Sequence, residues 1–148
     1  MPAQDAFNVG RDATLNITAG GIPLKPTIIT EFEFKQDTVQ LKSKPLNGAP
    51  IFQEVPDGWS GSFSVDRADP TLDDFFSQAE DNWYAGDDQT IASILQTIAD
   101  AAVGAVGPIH QYLFEGVQMK LDQGGNYKQD DKVMQRVAWV ASRRRKIA

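Results

Sequence analysis

The chain has 148 residues, a formal net charge of -6 and no cysteine. This length suits one domain with one sizeable core. The missing cysteines exclude disulfide bonds, thiolate metal centres and a cysteine nucleophile, and no apolar run reaches the roughly 18 residues of a membrane-spanning helix.

The charges are distributed unevenly along the chain. Residues 54–88 carry ten acidic residues and one basic residue, Arg67, whereas residues 143–146 form a purely basic cluster. The acidic stretch would repel nucleic acid and the basic cluster would attract it. The first residues lack the basic and apolar regions of a signal peptide, which predicts a protein made and kept in a cytoplasm.

The N-terminal part of the chain predicts β-strands. Residues 1–11 are polar and are interpreted as an N-terminal arm. Alternation of apolar and polar residues predicts strands over 13–18, 28–35 and 38–44. Residues 22–26 contain two prolines, which predicts a turn because proline donates no hydrogen bond to a sheet.

Residues 45–58 are predicted to be an extended loop, because they contain three prolines and two glycines. The loop is unusual in carrying four large apolar side chains, Leu46, Ile51, Phe52 and Val55. Such a loop either folds back on its own core or is covered by a partner. The sequence leaves these two alternatives open.

A strand and a helix follow the loop. Residues 59–67 alternate regularly and predict a strand. Asp69 suits a helix N-cap and Pro70 suits the first helical position. The helix is predicted to end near Gly86 and to bury one apolar stripe, formed by Leu72, Phe75, Phe76, Ala79 and Trp83.

The C-terminal part combines two clear strands with one ambiguous segment. Residues 90–103 carry apolar residues at helical spacing, and this pattern alone predicts a helix. Residues 111–121 and 133–142 predict strands, joined by a polar loop over 122–131. The resulting fold class is mainly β, a barrel or sandwich with one flanking α-helix.

Candidate catalytic and metal-binding residues are weak. The single histidine, His110, has no partner cluster nearby in sequence. Asp66, Asp69, Asp73 and Asp74 lack the spacing of a calcium loop, and helix capping explains three of them. We therefore expect no catalytic residue, cofactor or metal. The basic cluster has three interpretations: a nucleic-acid contact, a solvated terminus or a contact with an acidic protein surface.

Several segments resemble the tail tube proteins of contractile-tailed bacteriophages, which are related to type VI secretion tube proteins. The segments are PDGWSGSFSVDR at 56–67, LDDFF at 72–76 with WYAG at 83–86, YLFEGVQMKL at 112–121 and VMQRVAWVASR at 133–143. No single segment is a strong motif, and the resemblance depends on their order and spacing.

The resemblance implies a structural virion protein without enzymatic activity. Residues 1–148 would be one tail-tube domain, and six copies would form a ring with a continuous inner β-barrel. Rings would stack into the tube that conducts DNA during ejection, without binding DNA specifically. The implied partners are the tail sheath, tape measure, baseplate and tail terminator proteins, in a tail assembled in the host cytoplasm. The resemblance also implies a strand over residues 90–100, against the helical pattern.

Within this interpretation, three groups of residues receive roles. The apolar loop residues Leu46, Ile51, Phe52 and Val55 are candidates for ring stacking. Glu31 and Glu33 are candidates for charge on the channel wall, where a negative surface would let DNA slide. The basic cluster is a candidate contact with the sheath or an adjacent subunit, through Arg143, Arg144, Arg145 and Lys146.

Two competing classes remain. A small monomeric β-barrel that binds a ligand or carbohydrate would use Trp59, Trp83 and Trp139 to line a pocket. An enzyme would depend on aspartates near the helix, above all Asp66 and Asp73. Oligomeric state separates the tube subunit from both.

Overall fold

The computed structural model describes residues 13–24, 28–68, 70–99 and 109–147. Within these ranges the chain forms eight β-strands and one α-helix. Their order is β1 (Ala13–Ala19), β2 (Ile22–Leu24), β3 (Ile28–Ser43), β4 (Ile51–Asp66), α1 (Thr71–Tyr84), β5 (Ala92–Ala99), β6 (Ile109–Gln123), β7 (Met134–Ala141) and β8 (Arg143–Lys146). The predicted class, mainly β with one flanking helix, is confirmed for this part of the chain.

The strands form one antiparallel sheet in the order β2-β1-β5-β6-β7-β4-β3, with β8 paired to β6. The sheet is open, since β2 and β3 lie at opposite ends and do not pair with each other. A single copy therefore does not close a barrel and leaves strand edges available for pairing.

Strand β6 belongs to both halves of the sheet. Its first part pairs with β5 and β8, and its last part pairs with β7. The bend between them lies at Gly116, whose φ of 64° suits glycine. A Cβ at this position would also lie 2.5 Å from the Ser142 hydroxyl, between β7 and β8. The bend brings the inner faces of the two halves together.

The core between the halves is aromatic. Phe114 of β6 is completely buried, and its ring centroid lies 4.9 Å from that of Trp139. Phe32, Phe34 and Trp59 surround the same ring at centroid distances of 6.1, 5.6 and 6.1 Å. Edge-on and tilted contacts of this kind stabilise a core beyond the area that they bury. Alternation in the sequence places Phe32, Phe34, Trp59 and Trp139 on the inner face; Phe114 is out of step with the buried Val117, and the positive φ at Gly116 between them allows both to be buried.

The helix packs on this core and differs from the prediction in one residue of its apolar stripe and in the position of its N-cap. Leu72 is buried as predicted, whereas Trp83 is 61% exposed. The helix begins at Thr71, with Pro70 at the N-cap rather than the first helical position, because the Pro70 carbonyl accepts the first helical hydrogen bond from Asp74. Gly86 ends the helix as predicted, with a φ of 82°.

The predicted loop over residues 45–58 is wrong. Only residues 44–50 form the turn, and residues 51–58 are part of β4. Strands β3 and β4 pair continuously from Ile28↔Asp66 to Ser43↔Ile51. Pro56, the one proline of this segment that lies within β4, is tolerated because β7 pairs only with residues 59–66, so the outer half of β4 has a neighbour on one side alone.

Two further strand predictions need correction. The separate strands predicted over 28–35 and 38–44 are one strand, β3, with a register shift between Gln36 and Thr38. The predicted turn over 22–26 contains the short strand β2, which pairs with β1. Proline is acceptable there because β2 is at the sheet edge.

The helical pattern over residues 90–103 is misleading, since residues 92–99 form β5. Ile94 and Gln96 are buried on the inner face, while Leu95 lies on the other face opposite Leu113. Apolar residues on both faces of one strand produce the apparent helical spacing. The strand implied by the family resemblance is correct for this segment.

The C-terminal segment predicted as a basic tail contains a strand. Residues 143–146 form β8, which pairs with β6 from Glu115↔Arg143 to Tyr112↔Lys146. Some predictions lie outside the described residues: the N-terminal arm 1–11, Asp69 as N-cap and residues 100–103 of the predicted helix.

Candidate assembly surfaces

The outer parts of β3 and β4 form a long hairpin, residues 38–56. This hairpin is here called the arm and is distinct from the predicted N-terminal arm. Its strands pair with each other from Thr38↔Pro56 to Ser43↔Ile51. Every residue of the arm is exposed. A two-stranded hairpin without a sheet or helix beneath it is marginal in water by itself. Its geometry therefore suits a segment that is covered by another molecule.

The arm presents apolar side chains on both faces. Directly opposed residues share a face, so Val39, Val55, Leu41 and Ile51 lie together on one side. Phe52 lies on the other side, 5.7 Å from the Lys42 ammonium, measured to the ring centroid. Leu46 is fully exposed in the turn. The structure thus brings the four predicted stacking residues onto one exposed hairpin, although not onto one face.

A polar surface covers the outer side of β3, β4, β7 and β6. Its rows follow the register, and one row runs from Glu33 through Ser62 and Ala138 to Lys120. Arg136 donates to the Glu33 carboxylate at 3.0 Å and to the Ser62 hydroxyl at 3.1 Å. Ser62 donates to the same carboxylate at 2.8 Å. The sequence predicts that Glu31 and Glu33 lie on one polar face of a strand, and the structure confirms this face.

The charge on this polar face is balanced rather than negative. It carries four acidic residues, Glu31, Glu33, Asp66 and Asp122, and the basic residues Lys35, Lys120 and Arg136, and Lys132 pairs with Asp66 at 3.3 Å. Arg136 approaches both Glu33 and Asp122, at 3.0 and 3.8 Å. The net charge of -6 is thus carried elsewhere. The sequence prediction of a negative surface around Glu31 and Glu33 missed their basic partners, which come from distant segments.

Arg144 of the basic cluster is enclosed by aromatic rings. Its guanidinium carbon lies 3.7 Å from the Tyr112 ring centroid and 4.7 Å from that of Phe34. Trp59 and Phe114 lie at 5.3 and 5.6 Å. Burial lowers the pKa of Arg144 from its usual range, and interaction with Tyr112 opposes this. Nη2 also donates weakly to the Gln96 amide oxygen at 3.4 Å. These contacts of Arg144 therefore hold β8 against the aromatic core.

The other three basic residues of β8 are exposed. Arg145 forms an ion pair with Glu115 at 2.8 Å. Arg143 and Lys146 are the first and last residues of the strand. A contact with a sheath or subunit through these three residues stays a prediction. The sequence does not indicate the role of Arg144, because its position opposite Phe114 depends on the pairing of β8 with β6.

The structure does not bring the three tryptophans into one pocket. Trp139 and Trp59 fill the aromatic core, whereas Trp83 is exposed at the end of α1. The groove on the polar face, with a volume of about 530 Å³, is open and is lined partly by the ion-paired residues Glu33 and Arg136. The predicted binding pocket is therefore not formed.

The aspartates have structural partners. Asp73 accepts from Arg67 at 2.8 Å and from the buried amide of Gln135 at 2.8 Å, which joins α1 to β7. Asp66 forms an ion pair with Lys132 at 3.3 Å. Among the described residues, no group of three or more histidine or acidic side chains is arranged to hold a metal ion. Nor does the described part contain a helix long and apolar enough to cross a membrane.

One exposed surface was not found from the sequence. Trp83, Tyr84 and Ile91 are 61%, 80% and 62% exposed at the C-terminal end of α1 and just before β5. We call these three residues the helix-end patch. The helical spacing of Trp83 predicts a buried side chain, and no feature of the local sequence indicates that it is exposed.

The fold is similar to chains in solved structures of contractile injection systems. A chain of the PVC sheath/tube terminator in its extended state, from an extracellular contractile injection system, matches with a TM-score of 0.63 and 9% identity, over 97% of this chain and 99% of that chain. A chain of the PVC sheath–tube complex in its extended state matches with a TM-score of 0.60 and 9% identity, over 97% and 94% of the two chains.

A third similar chain belongs to the tube-terminating cap of the anti-feeding prophage (AFP). It has a TM-score of 0.56 and 11% identity, over 100% of this chain and 95% of that chain. At these identities the likeness establishes a shared fold over essentially the whole chain. No protein-family model matches the sequence, and no curated protein sequence matches it.

Proposed function

We propose that this chain is a structural subunit of the inner tube of a contractile tail or a related injection machine. The observation that carries the proposal is the shared fold, over 97% of the chain, with a component of a sheath–tube complex. In this role six copies form a ring and the rings stack into a tube. The subunit has no catalytic site, cofactor or metal.

The open sheet supports a ring. Strands β6, β7, β4 and β3 form a four-stranded unit with an aromatic inner face and a polar outer face. Joining such units edge to edge, in six copies, produces a continuous barrel whose lumen is lined by the polar face. This arrangement also covers the strand edges that a single copy exposes.

The arm supports stacking. It carries Val39, Leu41, Leu46, Ile51 and Phe52 fully or largely exposed. These side chains gain about 25 cal/mol for each Å² of apolar surface that a neighbouring subunit covers. Contacts repeated around a ring add, so modest gains per copy produce stable stacks.

The polar face supports passage of DNA without retention. Because its basic residues are matched by acidic ones, and Arg136 is held by Glu33 and Asp122, it offers no concentrated positive charge to phosphates. Partners in this role are the sheath, tape measure, baseplate and terminator proteins, in a tail assembled in the host cytoplasm.

Negative-stain electron microscopy across a concentration series tests the proposal. We expect six-fold rings or tubes with an open channel. A variant in which residues 41–53 are replaced by an Asn-Gly turn, which leaves Gln40 opposite Glu54, should keep the circular dichroism spectrum of the body and lose tubes. Monomers of the unmodified chain at every concentration, in low and high salt, would contradict the proposal.

A further inference from the structure

The helix-end patch is an apolar surface with an acidic rim. Trp83 and Tyr84 end the helix and Ile91 precedes β5; all three are exposed, and their sequence neighbours Asn82 and Thr90 line one cavity, which brings the two segments close together. Large apolar side chains exposed on neighbouring segments are typical of an interaction site. Around them lie four exposed acidic residues and no basic residue between positions 80 and 91, namely Glu80, Asp81, Asp87 and Asp88.

The tip of the arm has the opposite charge. Between positions 41 and 52 the only charged residues are Lys42 and Lys44, both exposed. Leu46, Ile51 and Phe52 are exposed beside them. The arm tip, residues 41–52, is thus apolar with a basic rim, whereas the helix-end patch is apolar with an acidic rim.

We infer that the arm tip of one copy docks on the helix-end patch of a second copy. The inference rests on the proposed function, since it names the surface that receives the arm. Apolar side chains are buried on both sides of this contact, and two lysines face up to four carboxylates. Complementary rims of this kind orient an encounter and select against wrong pairings.

The contact is heterologous, because donor and acceptor are different parts of the chain. Each copy therefore offers one arm tip and one patch, and contacts propagate from copy to copy into a closed ring or an open stack. The strands of the arm pair only with each other along its length. The tip is accordingly available to a neighbour.

Charge reversal tests the pairing. Lys42→Glu with Lys44→Glu places acids against acids, and Asp87→Lys with Asp88→Lys places bases against bases. We expect each pair of substitutions to raise the critical concentration for assembly about tenfold, which corresponds to about 1.4 kcal/mol. All four substitutions together restore complementary rims, so assembly should return to within about threefold of the original. Lys128→Glu, an exposed loop substitution, is the control.

The outcomes separate this inference from the proposed function. If the unmodified chain assembles but either reversed pair behaves like the Lys128→Glu control, or the combined variant assembles no better than the pairs, the arm tip docks elsewhere and the inference is overturned. The proposed function then stands. If the unmodified chain never assembles, the proposed function fails and the inference falls with it.

Cross-linking gives an independent test, since the chain has no cysteine of its own. Leu46→Cys with Tyr84→Cys places one thiol on the arm tip and one on the patch. A short bis-maleimide reagent should convert the assembled double variant into a ladder of covalent multimers, whereas each single variant stops at dimers. A double variant that also stops at dimers in assembled samples would overturn the inference.

Discussion

Replacing Arg144 by methionine tests whether the cation holds β8 in place. Methionine keeps most of the apolar stem and removes the charge that lies 3.7 Å from the Tyr112 ring centroid. A desolvated cation–π contact contributes about 2 kcal/mol, and an exposed one about 0.5–1 kcal/mol. Burial of the cation, which lowers the pKa of Arg144, offsets part of this gain. We expect the free energy of unfolding to fall by about 1–2 kcal/mol.

Thermal unfolding, followed by near-ultraviolet circular dichroism below the assembly concentration, measures this loss. For a chain of this size each kcal/mol lowers the Tm by about 2–4 °C, so a fall of about 2–8 °C is expected. Arg143→Met removes a neighbouring exposed charge and should change stability by less than about 0.5 kcal/mol. Equal Tm values for the two variants would refute a stabilising role for the enclosed cation.

Three further substitutions probe the sheet. Gly61→Ala should lower the free energy of unfolding by about 1–3 kcal/mol, because its Cβ would clash with the Glu33 carbonyl oxygen of β3 and lie 2.8 Å from Trp139 Cζ2, and a normal urea midpoint would contradict the close packing. Arg136→Gln should cost less than about 1 kcal/mol, since its ion pair with Glu33 is about half exposed, and the difference should shrink in high salt. Gln135→Leu should cost about 1–3 kcal/mol, because it removes the buried amide that donates to the Asp73 carboxylate of α1 and to the Gly124 carbonyl; an unchanged Tm would count against this bond network.

Alternation predicted most of the sheet because one face of each strand is buried. The strands predicted over 13–18, 111–121 and 133–142 match β1, β6 and β7 to within about two residues at each end, whereas the strand predicted over 59–67 is only the C-terminal part of β4, which begins at Ile51. The same reasoning failed for residues 51–58, where prolines and glycines suggested a loop. Those residues form the part of β4 that lacks a neighbour on one side, and there the usual cost of proline in a sheet does not apply.

Local patterns also failed where burial depends on distant partners. The spacing of Trp83 on the helix predicts a buried side chain, but the side chain is 61% exposed. Arg144 was treated as part of a charged tail, although pairing of β8 with β6 places it opposite Phe114. Both outcomes depend on tertiary neighbours, which single-sequence patterns do not contain.

The candidate surfaces were predictable in composition but not in shape. Exposed apolar residues at 46–55 signalled a covered segment, and the structure adds that they belong to a projecting hairpin. Glu31 and Glu33 were recognised as one polar face. Their balance by Arg136, about one hundred residues later, required the register of β3, β4 and β7.

The position of β7 and β8 has a consequence for the order in which the protein matures during synthesis. Residues 134–146 fill the gap between β4 and β6 and supply Trp139 to the core, so a nascent chain lacking them cannot join its two halves. The strands of the arm pair only with each other, but such a hairpin is marginal in water without a body beside it. A chain whose synthesis stops before this segment therefore has no completed body, and it exposes the apolar surface that chaperones and proteases recognise.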